Sequence, residues 1–167
     1  MPNPASPPPT PLLQVALETE NHVAGDGWDQ APRLFALVPT RAVLGTDEPD
    51  PAELSAVEQE WSPEGDLESA LARLAWPEAV VGVALVLERL VVPPAAEHDL
   101  PSNPDDALAA LAAHPDRQDI RLVAAVTREG ERTCLLRQRA YDRADMIASG
   151  PDIAEGLVTA LAATLVD

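Results

Sequence analysis

The longest apolar passage of the chain lies at 74–94, LAWPEAVVGVALVLERLVVPP. No charge falls between Ala79 and Leu87, and the β-branched Val80, Val81, Val83 and Val86 suit a pleated surface, so the pattern predicts a strand over 79–92. Pro77 and Pro93-Pro94 remove backbone donors and punctuate it at both ends. Gly82 and Ala84 share one parity and leave that face shallow enough for a close helix, while Val81, Val83, Leu85 and Leu87 fill the other. Both faces are expected to be covered.

The flanking pattern supplies the covers. Thr10-Pro11 offers an N-cap and a proline at the first helical position, and Leu12, Ala16, Thr19 and Val23 line one stripe of a helix over 12–23 that Gly25 and Gly27 end. A turn at 27–32 leads to a short strand over 33–38, closed by Pro39, and the stretch near 40–50 reads as mobile. Asp50-Pro51-Ala52-Glu53 has a capping-box arrangement, and the spacing of Leu54, Val57 and Trp61 predicts a short helix. Leu67, Ala70, Leu71 and Leu74 give a cleaner helical stripe. Asn103-Pro104-Asp105-Asp106 caps a helix of about two turns that His114-Pro115 ends. Ser149-Gly150-Pro151-Asp152 reads as a box-like cap for a last helix with Ile153, Leu157, Leu161 and Leu165 in line.

Ile120–Thr127 and Thr133–Ala140 flank Glu129-Gly130-Glu131 and read as a β-hairpin. A two-residue loop would divide the apolar set between the faces. A three-residue loop pairs Val126 with Cys134, Ala124 with Leu136 and Leu122 with Gln138, and gathers Ile120, Leu122, Ala124, Val126, Cys134, Leu136 and Ala140 on one side. Arg121, Arg137 and Arg139 then converge on the opposite face, softened by Val123, Ala125 and Leu135. The expected fold is α+β: a mostly antiparallel sheet of about four strands (33–38, 79–92, 119–128, 132–140) with N-terminal, middle and C-terminal helices packed on it. Residues 1–10 form a Pro-rich disordered tail in this reading, and 11–167 a single domain.

Composition narrows the function classes. Hydrophobic residues make up 46% but aromatics only 3%, so the core is mostly Val, Leu and Ala. A net charge of -17 argues against nucleic acid and anionic membranes as partners, since both need clustered cations. The lone Cys134 excludes an intramolecular disulfide and a cysteine-based zinc cage. MPNPASPPPT has neither the charged nor the apolar region of a signal peptide, and no apolar run approaches the roughly 20 residues that span a bilayer. A soluble cytoplasmic protein is expected.

No nucleotide-binding, zinc-hydrolase or serine-hydrolase motif occurs, and His22, His98 and His114 lie in different elements without a second ligand at metal spacing. The reading therefore leans away from an enzyme and assigns no catalytic residue, cofactor or metal. Glu88 and Arg89 interrupt the central strand and point to opposite faces: either they mark where it leaves the core or they line a pocket. Trp28 in GDGWDQ and Trp76 in LAWPE sit at element junctions, where packing is the first explanation and a contact anchor the second. Between Arg117 and Arg143 seven arginines face four acids, whereas the rest of the chain holds four arginines and 24 acids. Those arginines are either neutralised internally by acidic helices or form a face that recognises anions or a partner.

Four segments, ALETENHVAGDGWDQAPRLFALVPT (16–40), the 74–94 passage, HPDRQDIRLVAAVTREG (114–130) and GPDIAEGLVTALAATL (150–165), together resemble a family of small acidic actinobacterial proteins with no assigned function. The likeness is strongest at GDGWDQ and AWPEAVVG. It implies a cytoplasmic single domain of this layout and carries over no catalytic residue. Two functions are expected from the residues. One is a non-enzymatic protein-binding or adaptor module, chaperone-like in layout only, working with another protein or as a homodimer through a sheet face or edge rimmed by Arg137, Arg139 and Trp residues. The other is a small-molecule binder or enzyme with a pocket near Glu88, Arg89, Trp28 and Asp29. A scaffold with wholly internal arginines would instead pair each of them with acids.

Overall fold

The computed structural model describes residues 10–45, 53–61, 67–92, 98–143, 146–150 and 153–166. The Thr10 hydroxyl accepts from Leu13 N and Pro11 takes the first helical position, which starts α1 (Pro11–Ala24). Next come β1 (Arg33–Pro39), α2 (Thr40–Leu44), β2 (Leu54–Gln59), α3 (Leu67–Ala72), β3 (Gly82–Val91), α4 (Pro104–Ala113), β4 (Gln118–Thr127), β5 (Arg132–Gln138), β6 (Ala148–Ser149) and α5 (Glu155–Thr164). The strands form one antiparallel sheet in the order β2-β1-β3-β4-β5-β6.

β3 is the strand expected from the apolar passage, and both its faces are buried. Val83, Leu85 and Leu87 enter a core with Leu71 of α3 and Val158 and Leu161 of α5. Ala84 and Val86 enter a second core with Leu12, Val15, Ala16 and Val23 of α1, so the shallow face does receive a helix. No helix among the described residues is long and apolar enough to cross a membrane.

Among the described residues the sheet has six strands where the sequence pattern gives about four, and both additions have a physical cause. Residues 54–59, expected as a short helix, form β2. They pair with β1 from Leu34↔Gln59 to Pro39↔Leu54, and that ladder outweighs the three-four spacing of Leu54, Val57 and Trp61. The proposed box at Asp50 to Ala52 lies outside the described residues. Ser149, expected in a helix cap, lies in β6 opposite Leu135, and Gly150 exchanges backbone hydrogen bonds with Cys134. α5 consequently starts after Ala154 without a side-chain cap. Of the stretch near 40–50, Thr40–Leu44 is helical and 46–50 lies outside the described residues, as do residues 1–9 and Pro93-Pro94.

The hairpin keeps its three-residue loop, and with it the division of faces, but the loop is Arg128–Gly130. Val126 pairs with Arg132, Ala124 with Cys134 and Leu122 with Leu136, each two positions earlier on β5 than expected. The cause is Gly130 at φ 95°: a three-residue hairpin loop needs its left-handed residue last, so glycine cannot sit in the middle. β5 also stops at Gln138, and Arg139–Tyr141 turn away as a 3-10 helix that takes Arg139 and Ala140 off the sheet.

Candidate functional site

The corrected register places Arg121 directly opposite Arg137 on β5 and opposite Glu88 on β3. Two facing guanidinium groups repel unless a carboxylate lies between them, and α1 supplies Glu20. Arg137 donates through Nε to Glu20 Oε2 at 2.8 Å and through Nη2 to Oε1 at 2.6 Å, while Arg121 Nη1 lies 3.8 Å from Oε2. Glu20 is 0% and Arg121 1% exposed. The bidentate bond to Glu20 raises the pKa of Arg137, so this cation stays charged although buried. Arg137 Nη1 also donates to Asp142 Oδ1 at 2.9 Å.

The GDGWDQ turn closes over this cluster. The Arg121 guanidinium stacks 4.4 Å from the Trp28 ring centre and that of Arg139 5.6 Å from it, while Trp28 Nε1 donates to Asp142 Oδ2 at 3.1 Å. The Trp28 hydrogen bond, followed by that from Arg137, holds the Asp142 carboxyl below its ordinary range. Arg121 Nη2 donates to Gly27 O, and its Nε and Nη1 make no hydrogen bond among the described residues. Asp29 adopts a left-handed φ of 69°. Two contacts offset that strain: Asp29 N and Gln30 N donate to the Glu88 carboxylate at 2.8 and 3.0 Å, and the Asp29 carboxylate accepts from Arg139 Nη1 and Nη2 at 2.9 and 3.2 Å. Arg139 Nη1 also reaches Asp119 at 3.3 Å.

Six of the residues singled out from the sequence, Trp28, Asp29, Glu88, Arg121, Arg137 and Arg139, thus meet at one end of the sheet. Two do not join them. Trp76 packs on the other face, where its Nε1 donates to Thr164 Oγ1 at 3.0 Å. Arg89 is exposed and borders a neighbouring cleft of about 320 Å³, lined also by Asp29, Glu88, Leu90, Arg117 and Asp119. Glu20 was not anticipated. Its signal is its place on the α1 stripe, four residues beyond Ala16 and three before Val23.

Acids within the molecule engage Arg33, Arg121, Arg137 and Arg139, but not every internal partner of an arginine is an acid. Arg128 donates to the carbonyls of Val80, Leu165, Trp76 and Pro77. The sheet face expected to present Arg121 and Arg137 lies under α1. Among the described residues no group of three His, Cys, Asp or Glu side chains could hold a metal ion.

A second feature lies at the edge that the sequence pattern misread. Thr40 N donates to Glu53 O at 2.9 Å, which sets the phase of the β1–β2 ladder. In that phase Ser55, Val57 and Gln59 exchange hydrogen bonds with β1, and the main-chain groups of Leu54, Ala56 and Glu58 face outward. Two clefts lie on the α1 side of the sheet. One, about 410 Å³, crosses the strand ends below Pro11 and Leu12, from Pro39 and Leu54 to Val81, Thr127, Arg128, Glu129 and Glu131. The other, about 340 Å³, lies between Val15, Glu18, Thr19 and His22 of α1 and Phe35, Ser55, Ala56 and Glu58 of the sheet. At the far end Arg33 Nε and Nη2 donate to Glu58 at 2.8 and 2.7 Å, and these bonds hold the Glu58 carboxyl below its ordinary range.

No curated protein and no solved structure matches the chain. A family model does, over residues 12–166; it is described as PPA1309-like protein, a description that names no activity, and the chain belongs to that family.

Proposed function

We propose that this protein is a non-enzymatic protein-binding module of the adaptor or chaperone kind, and that it engages its partner through the outer edge of β2. The supporting observation is the row of outward main-chain groups at Leu54, Ala56 and Glu58, set beside a cleft of mixed polar and apolar lining on a sheet whose central faces are both packed. Proteins usually blunt such an edge with lysine, proline, a very short strand or a covering element. The opposite edge is blunted in this way, because β6 has two residues. β2 has six, with neither Lys nor Pro among them. Docking on the arginine-bearing face would require α1 to leave and Glu20 to abandon Arg137. Docking on the edge requires no such movement of α1 or Glu20. An actinobacterial cytoplasm is the setting of this reading, and the buried Cys134 is compatible with it.

A second reading, a small-molecule site, is favoured by Asp29, Glu88 and Arg89, which line one cleft of about 320 Å³, with Trp28 next to Asp29 in the chain. It ranks lower because the Asp29 and Glu88 carboxylates are already occupied by Arg139 and by the turn amides.

Photo-crosslinking in cells tests the edge. Val57 is 43% exposed on β2, and Val57→p-benzoylphenylalanine is expected to yield protein adducts that disappear when Ala56→Pro is added. Proline at 56 removes an outward N–H and no bond to β1. Adducts indifferent to Ala56→Pro, or equally abundant from the same photo-reactive residue at Leu108 on α4, 61% exposed, would reject edge docking.

A further inference from the structure

We infer that the cleft across the strand ends, under the first turn of α1, binds a small amphiphilic amine, with its aliphatic body on the sheet and its protonated head at Glu129 and Glu131. The inference goes beyond the edge reading and does not depend on it. The strand registers build the floor. Leu54 lies opposite Pro39, Leu37 opposite Gly82 and Gly82 opposite Thr127, and Thr127 N donates to Glu131 O. Alternation turns Pro39, Leu54 and Thr127 to the α1 side, where Leu37 and Ala125 are core residues and Leu54 packs on that core. Gly82, in the middle of the row, adds no side chain to it, and Pro11 and Leu12 stand above. The resulting cleft of about 410 Å³ falls in the range of small-molecule sites, about 300–1,000 Å³.

The lining divides by chemistry along the cleft. Pro11, Leu12, Pro39, Leu54 and Val81 are apolar, and the polar residues gather at the hairpin end, at Thr127, Glu129 and Glu131. From Pro39 on β1 to Glu131 on β5 is three strand spacings, about 14 Å, so an extended aliphatic chain can lie on the apolar part with its head at the carboxylates. What is left unpaired sets the sign of that head. Neither Glu129 nor Glu131 forms an ion pair among the described residues. Arg128, the one basic residue of the described lining, directs its guanidinium to the carbonyls of Val80, Leu165, Trp76 and Pro77. Arg132 falls on the opposite face, two residues from Cys134 of the other core. The positive end of α1 borders the cleft, but it amounts to about half a charge and Thr10 caps it. An ammonium head therefore gains charge-assisted bonds to two free carboxylates, whereas an anionic head meets like charge.

The test titrates the full chain with octylammonium, octyl sulfate and ethylammonium and follows the backbone amides by NMR. Octylammonium is expected to saturate a single site, with shifts gathered at Leu12, Leu54, Val81, Thr127 and Glu131. It should bind about tenfold or more tightly than either other probe, which is about 1.4 kcal/mol. Glu129→Gln with Glu131→Gln should weaken it about tenfold, and because both side chains are exposed the urea midpoint should hold. Leu54→Trp, which enlarges a half-buried side chain of the floor, should abolish saturation. Tighter binding of octyl sulfate would overturn the sign of the head, and equal binding of ethylammonium would overturn the apolar body; either ends the inference. Shifts spread over the acidic surface without saturation, or an affinity unchanged in the double glutamine variant, would reduce the effect to general charge attraction and end it too. Binding seen only after removal of residues 1–9 would make that segment the occupant and overturn the inference. None of these results bears on the Val57 adducts, so the site and the edge stand or fall separately.

Discussion

Glu20→Ala is expected to lower the unfolding free energy by about 3–5 kcal/mol, the range for removing one partner from a buried ion cluster. Glu20 is the carboxylate shared by Arg121 and Arg137, which face each other across β4 and β5. Without it Arg137 retains Asp142, whose side chain is 46% exposed and screened by solvent, and Arg121 retains Glu88 at 3.5 Å and Gly27 O. Neither can neutralise two buried guanidinium groups. The loss should appear as a lower urea midpoint at unchanged slope. A loss below about 1 kcal/mol would mean that apolar contacts alone hold α1 and that the cluster is no clamp.

Gly82→Ala should destabilise by about 2–3 kcal/mol, towards the upper end for overpacking a core. A Cβ at Gly82 would lie 2.5 Å from Val126 O and 3.2 Å from Leu37 Cδ1. The first obstacle is backbone on the adjacent strand and cannot rotate away. The ladder also cannot open cheaply there, because Val81 N donates to Leu37 O and Arg128 N to Val81 O, both at 2.9 Å. The same substitution at Gly156 in α5, where no atom lies within 4 Å, should instead stabilise by about 0.5–1 kcal/mol. Denaturation of the two variants side by side checks the contrast, and a shared sign would contradict it.

Long, one-sided patterns carried the legible part of the fold. The unbroken apolar run of β3 and the stripe of α1 each involve many residues with one consistent period, and both were recoverable from spacing. β2 was not, since Leu54, Ala56 and Val57 satisfy two periods at once and the choice was made by the unpaired outer side of β1, a non-local partner. The hairpin faces were readable from parity, but the exact partners depended on where in the loop Gly130 must stand. Parity likewise drew Arg121 and Arg137 to one face without revealing its cover. Their acid, Glu20, lies 117 residues from Arg137 and sits on a stripe that otherwise reads as apolar. Of the two readings open for these arginines, internal neutralisation holds for Arg121 and Arg137, while Arg139 stands at the rim. The proposed docking edge lies in the segment whose apolar spacing predicts a helix.

Amide hydrogen exchange across β2 tests most directly whether that edge is open while the faces are closed. In the free protein the amides of Leu54, Ala56 and Glu58 should exchange fast and those of Ser55, Val57 and Gln59 slowly. Outward amides as well protected as the inward ones would contradict the account.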